Sequence, residues 1–314
     1  MDALSQLLAL GRFEAHMDVR CLLDGAFVLP HEPAPRHEAA FHLLLAGRCL
    51  LRTTSGEIAM QAGDFVMVSH GQTHTLAHAG ARGKPRRAVA PVATPQPTPL
   101  ARVSNVDTPA QAAVDLVCGR YRYAPGAGIL LAQTLPPVLH ASLPLDAGAT
   151  DAQPLAALVD LLRSESAVAR PGANALINAL GQALLALALR AHGHAAEAPP
   201  GLLPLLAHPR LAPSIQALLR EPGADWTLDT LAAHAAMSRA TYARQVQSVA
   251  GTAAGALVTR LRMMHACELL QDMRRPVADV AEAVGYRSEA AFGKAFQAMM
   301  GEPPGRWRRA RAAS

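Results

Sequence analysis

Short apolar runs punctuated by turn residues occupy the first part of the chain. Phe41–Leu45, Cys49–Leu51, Ile58–Met60 and Phe65–Val68 are separated by Gly or Pro turns, the pattern of short antiparallel strands in a small sandwich or barrel. Between Gly80 and Pro109 the pattern lapses. Pro85, Pro91, Pro95, Pro97, Pro99 and Pro109 occur there with almost no large apolar residue, which reads as a mobile loop. Strand-like pieces resume at Leu116–Tyr123 and Gly128–Leu139 and close a first domain near residue 150.

Helical periodicity then takes over. Leu155, Leu158, Val159 and Leu162, followed by Leu176, Ile177, Leu180, Leu184, Leu185, Leu187 and Leu189, recur at helical spacing. The second set is apolar round most of its circumference, so its helix needs more than one partner: it forms either the core of a domain interface or a dimerisation surface. Its most apolar part, Ala175–Leu189, is interrupted by Asn178, Gly181 and Gln182 and falls short of the roughly 20 residues that span a bilayer. Gly193–Pro209, rich in His, Ala and Pro, is the next break.

The last hundred or so residues contain an internal repeat. A shift of 50 places aligns Ser238–Gln247 with Ser288–Gln297 and puts Gly251 on Gly301; upstream, with one residue of slippage, Leu231-Ala232-Ala233 matches Val280-Ala281-Glu282. Each copy reads as a short helix of small residues, a tight turn, a Ser N-cap and a second helix with aromatic or aliphatic residues at i and i+4. That is the outline of a helix-turn-helix. Leu257, Leu261, Met264, Leu269 and Leu270 between the copies suit one long connecting helix over Ala254–Met273.

The segment Trp226–Trp307 resembles the DNA-binding domain of the AraC family of transcription regulators. The resemblance rests on Trp226-Thr227-Leu228, Leu231-Ala232, Met237-Ser238-Arg239 and Leu261-Arg262-Met263, then Val280-Ala281, Gly285-Tyr286-Arg287-Ser288, Phe292-Gly293-Lys294-Ala295-Phe296 and Pro303-Pro304-Gly305-Arg306-Trp307. Two positions depart from the family pattern: Val246 stands where Phe is usual, and Ala254-Gly255-Ala256-Leu257 is a loose version of a Pro-containing helix start. With Tyr242 and Val246 inward on the first recognition helix, Arg239, Ala240, Ala243 and Arg244 face outward. With Phe292 and Phe296 inward on the second, Glu289, Ala290, Gly293 and Lys294 do so. Arg244 suits a bidentate bond to guanine, Lys294 guanine or phosphate, Glu289 cytosine N4, and the alanines thymine methyls. The resemblance implies base contacts on these same faces. Arg287, Arg306, Arg308, Arg309 and Arg311 read as phosphate contacts or as solvated tail charges.

Gly63–His74 resembles the second motif of cupin barrels, G-x5-P-x-G-x2-H, with Ser69 in the Pro position. In metal-binding cupins this His is a ligand, joined by two His and a Glu from a first motif. Here those positions fall on Ala34, Arg36 and Ala40, although His37 and His42 are nearby, so His74 is the single weak candidate and no metal or other cofactor is expected. Cys21, ahead of the barrel, and Cys118, in a stretch similar to the cupin-bearing subgroup of the family, are candidates for redox sensing, which is known for some of its members. Cys49, on a strand, and Cys267, on the connecting helix, read as core.

Charge sharpens this division. Trp226–Ser314 holds 12 basic and 7 acidic residues, net +5, while Met1–Asp225 holds 17 of each, so the whole excess lies in the repeat-bearing segment, as a polyanion-binding module requires. At 51% hydrophobic and 17% charged the chain buries a core. Four scattered cysteines exclude a disulfide scaffold or a C-x-x-C zinc site, and no basic stretch leads into an apolar run at the N-terminus, so no secretion signal is expected. The expectation is an α+β chain. It comprises an antiparallel cupin-like β-barrel over 1–150 with a mobile Pro-rich loop at 80–109, a helical connector over 151–206 and an all-α double helix-turn-helix domain over 207–314. Its expected function is sequence-specific transcription regulation in the cytoplasm, controlled through the barrel by a small molecule or by cysteine oxidation. Expected partners are double-stranded DNA, a second copy in a homodimer, a small-molecule effector and, for an activator, RNA polymerase, with no membrane. A metal-dependent cupin enzyme fused to a DNA-binding domain is the alternative.

Overall fold

The computed structural model describes residues 1–69, 71–78, 92–93, 98–143 and 152–312. His70 and most of the segment expected as a mobile loop at 80–109 lie outside the described residues. The strands are β1 (Glu14–Leu23), β2 (Val28–His31), β3 (Glu38–Ala46), β4 (Arg48–Thr53), β5 (Gly56–Gln61), β6 (Asp64–Val68), β7 (His74–His78), β8 (Val92–Ala93), β9 (Ala101–Ser104), β10 (Val114–Arg122) and β11 (Val138–Ser142). They form a seven-stranded sheet in the order β11-β6-β3-β10-β1-β9-β8 and a four-stranded sheet in the order β2-β7-β4-β5. Pairing is antiparallel throughout except for β1 with β9, which is parallel and which the expectation of an antiparallel domain lacked. β9 falls within the segment read as a loop.

Side chains alternate across each strand, so register decides what is buried. Leu44, Cys49, Leu51, Met60, Val66, Val68, Leu76, Leu116 and Cys118 share one buried apolar cluster with Cys21 and Leu23. A register shift in β1 between Met17 and Val19 changes which face that strand turns inward. Downstream, Val19, Cys21 and Leu23 join the apolar cluster. Upstream, Ala15 and Met17 meet the helix α4 (Ala173–His194) at Gly181, where an added Cβ would lie 2.7 Å from Ala15. Asn178 Oδ1 accepts from the Met17 amide at 3.2 Å, and the Tyr121 hydroxyl donates to the Gly181 carbonyl at 2.9 Å. The polar interruptions of α4 are thus the points at which it docks. The preceding helix α3 (Ala152–Ala167) is tied to the same sheet by Arg20, which pairs with Asp115 and donates to Ser166.

The piece expected as a strand over Gly128–Leu139 splits in two: α2 (Ala127–Ala132) is a helix, and only β11 continues the sheet. A short apolar run suits either conformation, and the turn at Gly126, with φ of 108°, selects the helix. Among the described residues the other helices are α1 (Ala3–Gly11), α5 (Leu202–Ala207), α6 (Ala212–Arg220), α7 (Leu228–His234), α8 (Arg239–Ala250), α9 (Ala254–Leu269), α10 (Val277–Ala283), α11 (Glu289–Met300) and α12 (Pro304–Ala312). Two compact units result: a sheet unit of Glu14–Arg122 and Pro137–His192, and a helical unit of Met1–Phe13, Tyr123–Pro136 and Gly193–Ser314. Residues 1–13 and 123–136 belong to the helical unit because α1 and α2 pack on one another and on α9.

The turn between α10 and α11 needs glycine. Gly285 has φ of 81°, and a Cβ there would sit 2.4 Å from the Arg262 guanidinium, which is itself held by the Pro222 and Ala224 carbonyls. At the matching position of the first copy, Ala236 takes φ of 51°. Gly285→Ala is expected to lower stability by about 1–2 kcal/mol, the cost of a left-handed residue with a Cβ, whereas Ala236→Gly removes that strain. Chemical denaturation of the two variants measures the difference, and equal behaviour would contradict this account.

Candidate nucleic-acid interface and sensor core

Ser238 caps α8 by accepting from the Thr241 amide at 3.3 Å, and Ser288 caps α11 by accepting from the Ala291 amide at 3.2 Å. Each helix ends at a glycine in the left-handed region, Gly251 and Gly301. Tyr242 and Val246 on α8, and Phe292 and Phe296 on α11, are completely buried. The Tyr242 hydroxyl pairs with Ser214 at 2.8 Å, and Phe296 meets Trp307 edge-on with ring centroids 5.7 Å apart. Anchoring these faces turns the opposite ones out. Arg239, Ala240 and Arg244 on α8, and Glu289, Ala290 and Lys294 on α11, are exposed, as is Arg287 before the second helix; Ala243 is half-buried. Arg239 lies 3.5 Å from Asp229 on α7, a loose exposed pair that a phosphate or base would displace at small cost.

The tail arginines separate. Arg308 is buried and donates to the Arg275 carbonyl at 2.7 Å. Arg311 lies 4.3 Å over the Trp307 ring and pairs with Glu302 at 3.1 Å. The reading of Arg308 as a phosphate contact or solvated charge is therefore corrected: it ties α12 to the segment before α10, while Arg311 is engaged by residues of α12 and just ahead of it, placements that spacing alone does not reveal.

In the sheet unit, two cross-strand pairs carry the polar interior. His42 on β3 stands opposite Cys118 on β10, and His31 on β2 stands opposite His74 on β7. His42 Nδ1 is 3.1 Å from Cys118 Sγ, and its Nε2 is 2.7 Å from His74 Nε2. His31 stacks on His74 with centroids 4.7 Å apart and meets His42 edge-on at the same distance. Burial holds all three imidazoles neutral at physiological pH: His31 titrates at about 4, His42 well below its ordinary value and His74 below it. The hydrogen bond with Cys21, and then burial, push the Cys118 thiol well above the usual range, while burial lifts Cys49 to about 12. Cys21 and Cys118 are thus neighbours, as their candidacy as a pair requires. Cys267 lies buried on α9.

Residues 2–194 match the family model described as Cupin, and residues 231–310 match the model described as Helix-turn-helix domain. The chain is 32% identical to the RCS-specific HTH-type transcriptional activator RclR of Escherichia coli K12 over 98% of this chain and 97% of that one. It is 30% identical to the HTH-type transcriptional regulator MtrA of Neisseria gonorrhoeae over 98% of each.

The chain belongs to the AraC-type transcription regulators with an N-terminal cupin domain.

Among solved structures, the DNA-binding domain of AdpA in complex with a target DNA is 32% identical and covers 33% of this chain and 94% of that one, with a TM-score of 0.32. Like its relatives, this AraC-type protein is a DNA-binding transcription regulator rather than an enzyme. Of the ligand positions that the cupin resemblance implies, only His74 carries a donor; Ala34, Arg36 and Ala40 do not fit that set. Sequence reasoning named His42 only as a neighbour and missed His31 altogether. No motif spacing links His31 to His74, and the register of β2 on β7 alone brings them together.

Arg311→Ala is expected to lower the thermal midpoint, with a loss of about 0.5–1 kcal/mol for an exposed cation–π contact. The slope of log affinity for DNA against log salt should stay unchanged. A flatter slope would return Arg311 to the phosphate contacts.

Proposed function

We propose that this AraC-type regulator reads specific DNA sequences through α8 and α11, with Arg239, Ala240, Ala243, Arg244, Arg287, Glu289, Ala290 and Lys294 at the interface. The observation that carries this reading is that the two helices match in their Ser N-cap, in a buried pair at i and i+4 and in the positions left facing outward. The 16-residue α9, about 24 Å long, is a continuous spacer between the two copies. A net charge of +5 on this segment is too small to hold DNA by charge alone at physiological salt. Affinity therefore leans on placed side chains and on a second copy. Exposed Leu161, Val168 and Leu176 on and beside α3 and α4 support a homodimer contact.

The signal enters through the sheet unit, by cysteine oxidation in preference to a small-molecule effector. The adjacency of Cys21 and Cys118 supports this. A two-electron oxidant takes two electrons and both thiol protons, and one S–S bond forms. Cys118 faces Val19 while Cys21 faces Leu116, a diagonal pair. Such diagonals span about 7–8 Å, beyond the Cα separation of up to about 6.8 Å that a disulfide tolerates. Closing the bond therefore moves β1 against β10. The relative named as an activator supports contact with RNA polymerase, in the cytoplasm.

Arg244→Ala is expected to lose about 1–3 kcal/mol of discrimination at a single base step, measured by sequencing DNA bound by wild type and variant. Equal loss on specific and random DNA would remove Arg244 from the reading face. The same selection with and without mild oxidant tests the switch: Cys21→Ser and Cys118→Ser should each abolish the oxidant-dependent change, and an unaltered response in both would refute it.

A further inference from the structure

The interior of the sheet unit holds converging lone pairs on His31, His42 and Cys118 that DNA reading does not use, and of the three only Cys118 also takes part in the disulfide. We propose that His31, His42 and Cys118 bind one thiophilic d10 cation, Cu⁺ or Zn²⁺, with His74 as a positioning residue for His42.

Hydrogen bonding sets up the site. A backbone carbonyl only accepts, so His74, with Nδ1 3.2 Å from the Gln72 carbonyl, carries its proton there and presents a lone pair at Nε2. His42 Nε2, 2.7 Å away, donates to that lone pair, which leaves the Nδ1 lone pair of His42 aimed at Cys118 Sγ. His31 donates from Nδ1 to the Leu29 carbonyl at 3.1 Å, so its own lone pair lies on Nε2. One ligand atom from each of His31, His42 and Cys118 lies within 4.8 Å of the other two. Three-coordinate binding with bonds of about 2.0–2.3 Å brings donors roughly 3.7 Å apart, a distance that small side-chain rotations reach. The carbonyl–His74–His42 chain is the outer support that metal-binding histidines receive through their second ring nitrogen.

The chemistry of the set selects the class of ion. Two imidazoles and a thiolate without a carboxylate favour borderline and soft cations over Mg²⁺ or Ca²⁺. The cation replaces the Cys118 thiol proton, so one sulfur–metal bond forms and one proton leaves to solvent for each ion bound. Charge ranks the two ions. One thiolate neutralises Cu⁺ but leaves Zn²⁺ with a net positive charge in an apolar interior, which is costly. The nearby carboxylates Asp18 and Glu38 do not offset it, because Arg120 and Arg122 already pair with them.

The test uses the full chain, metal-depleted and kept reduced under anaerobic conditions, titrated separately with Cu⁺ and Zn²⁺ and then with both in competition. The expected result is one retained equivalent, one proton released per ion, and an absorption-edge spectrum showing one sulfur neighbour with nitrogen neighbours. His42→Gln and Cys118→Ser should lose it, His74→Gln should weaken it by roughly 10–100-fold, and Cys49→Ser, which removes a buried thiol outside the set, should keep it. Thermal melts of the metal-free variants establish that each is folded. Failure to retain either ion, or equal retention by the folded His42 and Cys118 variants, overturns the proposal. Cu⁺ outcompeting Zn²⁺ supports the charge argument, and the reverse order overturns it. DNA binding is not among the readouts, so failure here leaves the regulatory reading standing.

Discussion

The register of β1 is the constraint on which the sheet unit depends. Had its alternation run unbroken, Ala15, Met17, Val19, Cys21 and Leu23 would all lie on one face. The shift between Met17 and Val19 instead lets a single strand serve two interfaces. Ala15 and Met17 receive α4 at a glycine small enough to admit them, while Cys21 and Leu23 complete the apolar interior. That one irregularity both docks the long apolar helix and sets Cys21 beside Cys118.

Within that interior, three histidines and a thiol occupy a place where unpaired polar groups are costly. The cost is met by a continuous chain from Cys118 through His42 and His74 to the Gln72 carbonyl, with His31 tied separately to Leu29. Partners for both ring nitrogens of His42 and His74 and for Nδ1 of His31 also fix the tautomers, so the same bonds that make the cluster tolerable in the core organise it chemically. Charged groups nearby close on themselves: Asp18 and Glu38 with Arg120 and Arg122, Asp115 with Arg20.

The helical unit solves a different problem. Helices as short as α7 and α10 are marginal alone, and each needs the aromatic or aliphatic pair of the helix that follows it. Burying Tyr242 with Val246 and Phe292 with Phe296 leaves a single orientation for the polar faces. Stability and presentation of the outward residues therefore share one cause. Arg308, Arg311 and Trp307 extend the same logic to α12, where positive charge serves packing.

Local information in the chain was enough to determine the strand-rich first part, the helix-turn-helix repeat with its caps, and the outward set Arg239, Arg244, Glu289 and Lys294. Each of these follows from periodicity or from residues a few positions apart. The helical state of Ala127–Ala132, the parallel β1–β9 pair, the packing roles of Arg308 and Arg311, and the membership of α1 and α2 in the helical unit were decided only by tertiary structure. So was the meeting of His31, His42, His74 and Cys118. Contacts across a sheet or between sheets depend on register, and register is a long-range property: β2 finds β7, and β3 finds β10, across dozens of intervening residues that carry no spacing rule.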